Sequence, residues 1–140
     1  MKNILFILIL ATFFSCKTDN WEERVFTDVS HFGKSEIDLK NYIDFEWDTV
    51  FVFHKISNLE YIESIIGKKY NNYDEFTRPL VFIKKGVINY SINRKSNFEG
   101  LMDEQFVYKN GNYSIKTKSD SKFKVGIEEA NGKKYLLISD

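Results

Sequence analysis

Three tight turns constrain this chain more than any other feature. Lys84-Lys85-Gly86, Asn110-Gly111 and Asn131-Gly132 each stand between short runs that are β-branched, aromatic or alternating. Asn-Gly readily takes the positive φ angles that a two-residue hairpin turn demands. The pattern predicts three hairpins. Leu80–Ile83 would pair with Val87–Ile92, Phe106–Tyr108 with Tyr113–Ile115, and Phe123–Ile127 with Tyr135–Ile138. Gly126, inside the last pair, suggests a bulge.

The first half adds two elements. Thr49-Val50-Phe51-Val52-Phe53-His54 is short and apolar on both faces, as a central strand would be. Ile37 and Leu39 alternate with Asp38 and Lys40, as on a short edge strand. Between strand and hairpins lies an amphipathic helix expected over 58–66. Leu59, Ile62, Ile65 and Ile66 fall on one face, and Gly67 supplies a left-handed stop. Ser57-Asn58-Leu59-Glu60 reads as a capping box with Ser57 as the cap. The expected fold is α+β: a single curved antiparallel sheet of about six to seven hairpin-built strands, with the helix on one face.

The N-terminus carries an address. Lys2 precedes an uncharged apolar stretch, Ile4 to Phe14, and then Ser15-Cys16. A positive start, an apolar middle and a small residue before the cut form a secretory signal. The stretch is about 11 residues and rises roughly 1.5 Å each, too short for a ~30 Å hydrocarbon core. Phe13-Phe14-Ser15-Cys16 resembles a lipobox, with Phe13 where leucine is usual. Cys16 is the one cysteine of the chain, so it has no intrachain disulfide partner. Residues 1–15 are therefore expected to be an export signal, and Cys16 the lipid-bearing first residue of the mature chain. Two or three acyl chains, at about 0.8 kcal/mol per methylene, hold a soluble domain on a membrane. Residues 16–34 are polar with isolated Trp21, Val25, Phe26 and Val29, and read as a tether. The folded domain would span 35–140, enough for one core. Lys17 followed by scattered acidic residues is similar to surface-export signals of some Bacteroidetes lipoproteins.

Charge excludes one class of partner. The chain holds 20 basic and 20 acidic side chains, with no basic excess to attract nucleic acid. The balance is uneven: residues 17–83 carry 8 basic and 13 acidic side chains, and residues 84–140 carry 11 and 7. Such a split makes a dipolar surface or internal pairing.

Few residues promise chemistry. His31 and His54 are the only histidines, and neither has metal-ligand spacing. No phosphate-binding glycine loop and no nucleophile elbow is present, so no cofactor is expected. Asp44, Glu46 and Asp48 alternate around Phe45 and Trp47. On a strand they would share a face at roughly 6–7 Å intervals, as a calcium site or an acid–base pair requires. The plain alternative is a solvated edge. Trp47 is expected in the core, with Asp48 bonding a nearby turn amide. Lys116, Lys118, Lys122 and Lys124 alternate with less polar residues, as a cationic comb on two adjacent strands that could meet anionic lipid or an acidic partner.

Phe45-Glu46-Trp47-Asp48-Thr49-Val50-Phe51-Val52-Phe53, the helix ending Ile65-Ile66-Gly67, and Leu80-Val81-Phe82-Ile83-Lys84-Lys85-Gly86 together resemble a pattern in small, Bacteroidetes-like bacterial lipoproteins. The resemblance covers residues 37–92, implies the fold and the anchor, and carries no site residues. The expected role is a non-catalytic binding module of the cell envelope, lipid-anchored at the outer membrane, with an envelope protein as partner. An inhibitor or immunity lipoprotein, with the acidic first half as its blocking surface, is the second reading. A hydrolase using Asp44, Glu46 or Asp48 is the third.

Overall fold

Thr49–Phe53 (β2) sets the architecture, because a strand buried on both faces must sit between two layers. Val50 and Val52 face one core, and Phe51 and Phe53 face another. The computed structural model describes residues 21–95, 106–109 and 111–140. The expected signal, lipobox and Cys16 lie outside the described residues, as does Asn110.

The elements run in the order Trp21–Phe32 (α1), Glu36–Asp38 (β1), a 3-10 turn at Leu39–Asn41, β2, Leu59–Ile66 (α2), Thr77–Lys84 (β3), Val87–Lys95 (β4), Phe106–Tyr108 (β5), Tyr113–Thr117 (β6), Lys122–Ala130 (β7) and Lys133–Ser139 (β8). The class is α+β, but the strands form two sheets where one was expected. The first has the order β1-β7-β8-β5, and the second β4-β3-β2-β6. All pairs are antiparallel except β5 with β8, which is parallel.

The division of the sheet has a local cause. Gly111 takes a positive φ of 73°, the sign a hairpin turn asks of its glycine. Yet the strands on either side do not pair: β5 joins β8, and β6 joins β2, with Phe51 opposite Ile115. The other two hairpins form as expected. Lys85 and Gly86 have φ of 47° and 76°, and Asn131 and Gly132 have 53° and 73°, the sign pattern of type I′ turns. Gly126 pairs with Leu137 in unbroken register, so no bulge occurs there. The irregularity falls between Phe82 and Ile83, where Asn89 of β4 is the extra residue.

The second departure is α1. The stretch expected as tether contains a packed helix, with Trp21, Val25 and Val29 buried in a stripe four residues apart. Glu22 and Glu23 occupy its first turn, where the helix dipole favours negative charge. So few apolar residues would not hold an isolated helix; packing against the sheets stabilises it. These residues join Ile37, Leu39, Trp47, Val50, Val52, Leu80, Phe82, Phe123, Leu136 and Ile138 in the core between the sheets.

The helix α2 covers the opposite face of β2 and β3. Ile62 and Ile66 share a core with Phe51, Phe53, Val81 and Ile83. Gly67 closes it in the left-handed region at φ 68°, its N–H reaching Glu63 O at 2.9 Å. The cap is Asn58, one residue later than the capping box implied. Asn58 is extended, and its Oδ1 accepts from Tyr61 N at 2.8 Å. The Ser57 hydroxyl instead donates to Lys55 O at 3.0 Å.

Candidate functional site

The three carboxylates expected on one face occupy a connection between the sheets, not a strand. Residues 44–48 are irregular backbone. Phe45 and Trp47 turn inward from it: Phe45 meets Tyr90 at 4.7 Å, and Trp47 is fully buried, edge-on to Phe82 at 5.9 Å. Asp44 lies apart, bonded to Arg24 of α1 at 3.0 Å. Glu46 and Asp48 come together around Lys84, whose Nζ is 3.2 Å from Glu46 Oε2 and 2.9 Å from Asp48 Oδ1. Lys118 adds a second cation 3.7 Å from Glu46. Asp48 also accepts from Lys85 N at 2.7 Å, the turn amide anticipated for it.

That pairing decides the chemistry. Lys84 holds the Glu46 carboxyl below its ordinary value, and the Lys85 N–H with Lys84 does the same for Asp48. Both carboxylates in turn raise Lys84. A general acid needs a raised pKa. The lowered direction favours the ionised form of Glu46 and Asp48, the opposite of what a general acid requires. Their visible work is to clamp the β3–β4 turn onto the 44–48 connection.

The four lysines of the comb separate in the same way. Lys116 is on β6 of one sheet, and Lys122 and Lys124 are on β7 of the other. Lys118 lies in the turn after β6. Lys116 is tucked 3.0 Å from Asp140 and 4.9 Å from the centre of the Phe123 ring. Lys122 bonds Glu36 across β1 and β7 at 2.9 Å. Lys124 is exposed. They are thus distributed over both sheets and the turn after β6, not over two adjacent strands of one sheet.

A polar cluster that the sequence pass did not identify joins the two sheets. His54 is buried at the end of β2, with Nε2 2.9 Å from Ser114 Oγ. Ser114 donates to Asp140 Oδ2 at 2.6 Å. A hydroxyl has one proton, so with that proton given to Asp140, Ser114 can accept from the His54 tautomer protonated on Nε2. An activated serine has the reverse polarity, with the imidazole accepting. The group ties β6 to the chain ends that follow β2 and β8. Burial raises the Asp140 carboxyl, but the Ser114 hydroxyl and the Lys116 ammonium outweigh it and leave its pKa below the ordinary value. Ser114 and Asp140 lie far from His54 in sequence, which hid the cluster from spacing arguments.

Two arginines form a further buried group. Arg78 and Arg94 are opposite each other on β3 and β4, and both are buried. Arg94 pairs with Glu22 of α1, and its guanidinium stands 5.6 Å over the Trp21 ring. The first turn of α1 is thereby fixed to one end of the second sheet.

Trp21, Ile37, Leu39, Val52, Leu80, Phe123 and Ile138 line a cavity of about 10 Å³, at the lower limit for one water and apolar on every side. Among the described residues no three His, Cys, Asp or Glu side chains gather as a metal would need. Among them, too, no helix is long and apolar enough to cross a membrane. Among the described residues Phe32, Ile56, Phe76, Val87, Ile115 and Ile127 are the large apolar side chains left exposed. No family model matches the chain, and no curated protein and no solved structure is significantly similar to it.

Proposed function

We propose that the chain is a bacterial envelope lipoprotein, anchored through lipid on Cys16, whose domain is a non-catalytic binding module for another envelope protein. The export signal and the lipobox support the anchor. The observation that carries the binding role is the contrast on the surface. The clustered carboxylates are neutralised within the domain, while six large apolar side chains are exposed. Exposed apolar groups on a small domain favour association over chemistry. Ile115 lies on β6, an edge of the second sheet. Ile127 lies on β7 beyond the three residues that β1 covers. These are open strand edges of the kind that accept a partner.

The test is crosslinking in intact cells with a photoreactive residue at Ile115 or Ile127, followed by capture with an antibody to the native protein and mass spectrometry. One abundant envelope partner, lost when Cys16→Ser releases the chain, is the expected result. A blank at native expression from both positions would contradict the reading.

A further inference from the structure

One end of the second sheet differs from the other. At the first end, Ser57 N donates to Thr77 O at 3.4 Å, joining the chain that leaves β2 to the start of β3. The residues just before each partner are exposed and apolar: Ile56 is 51% exposed and Phe76 53%. Phe76 has a φ of 59°, a left-handed backbone that a bulky aromatic rarely takes. In β3 and β4, Thr77 is opposite Lys95 and Arg78 is opposite Arg94, and Arg94 holds Trp21 and Glu22. Ile56, Phe76 and the first turn of α1 thus share one end of the domain. Its solvent-facing charges are of both signs: Lys55 and Lys95 beside Glu23, Asp74 and Glu75, while Arg78 and Arg94 are buried. The other end is the Lys85-Gly86 turn with its clamp of Glu46, Asp48, Lys84 and Lys118.

The anchor selects between these ends. Cys16 is five residues from Trp21. Five residues reach at most about 17 Å. A domain of this size has a radius of gyration of about 13 Å. A tether scarcely longer than that prevents end-over-end tumbling and keeps the α1 end at the headgroups.

Resting on the lipid-anchor reading above, we propose that this end is a membrane-seating surface, with Phe76 and Ile56 at the headgroup level of a phospholipid bilayer. Aromatic side chains favour that level. Because those open charges hold no basic excess, it seats on zwitterionic lipid and needs no anionic headgroup.

The test uses full-length lipidated protein in phosphatidylcholine vesicles with and without brominated acyl chains. Tryptophan is placed at Phe76→Trp and, as the far-end control, at Val87→Trp. Val87 is 65% exposed. It lies about 25 Å along β3 from the seating end. Trp21 and Trp47 are buried and give a common background. Brominated lipid should remove most of the emission added by Phe76→Trp and little of that added by Val87→Trp. Equal quenching at both positions, or none at Phe76→Trp in vesicle-bound protein, would overturn the seating surface alone. Protein that does not float with vesicles would overturn the anchor reading and the seating with it. If Phe76→Trp does not fold, Glu75→Cys labelled with bimane replaces it, with the same expected quenching and the same overturning result.

Discussion

The two cores of this domain are built from different reaches of chain. The core beneath α2 draws on residues 51 to 83: Phe51 and Phe53, Ile62 and Ile66, Tyr70, Val81 and Ile83. The core between the sheets draws on nearly the whole described chain, from Trp21 to Ile138. One is local and subsidiary. The other cannot form until α1, both sheets and the 44–48 connection have met. Local contacts close early, and distant ones must first overcome loop-closure entropy. The intersheet core should therefore govern global stability, and the α2 core should be able to open by itself.

The largest effect that tests this difference is Trp47→Ala. Removing a fully buried indole from the intersheet core should cost about 4 kcal/mol and lower the midpoint of the whole urea transition. An unchanged midpoint would mean that Trp47 does not close the core. Ile62→Ala should cost about 3 kcal/mol. Its signature differs: hydrogen exchange should rise across 59–66 while β7 and β8 stay protected. Equal loss of protection everywhere would merge the two cores into one cooperative unit.

Smaller changes sharpen the contrast. Asn58→Ala removes the α2 cap and should cost about 1 kcal/mol, whereas Ser57→Ala should cost less. The opposite ranking would restore the capping box with Ser57 as its cap. Acid tests the intersheet side. Burial raises the Asp38 carboxyl, but the Ser121 hydroxyl and Lys40 overcome it, so its folded pKa lies below the ordinary 3.8. Its stabilisation is present above that value and is lost as pH falls through the folded pKa. Asp38→Asn should make the midpoint less sensitive to pH below about 4. A variant with the same acid profile as the parent would remove Asp38 from the account.

The local core was legible in the sequence, and the long-range one was not. The central strand, the helix with its Gly67 stop and the β3–β4 hairpin follow from patterns within residues 49–92, where neighbours in sequence are neighbours in space. The two Asn-Gly turns show the limit. Asn131-Gly132 folds Lys133 back onto Ala130. At the other, β6 finds an edge on β2 and β5 runs parallel to β8. A turn signal fixes the bend but not the partner. The stripe of Trp21, Val25 and Val29 was visible, but a polar helix with three core residues is indistinguishable from a tether until its docking face is known. The carboxylate trio failed for a related reason. Alternation implied a strand, while Phe45 and Trp47 were instead held by Phe82 and Tyr90.

The described helix α1 starts at Trp21, five residues after Cys16 in the sequence. The most direct test of the account is the intact mass of the protein isolated from membranes of its own cells, with fragmentation of the first peptide. The account predicts a chain that starts at Cys16 and bears a diacylglyceryl group on its sulfur. A mature chain that starts elsewhere, or an unmodified Cys16 thiol, would contradict it.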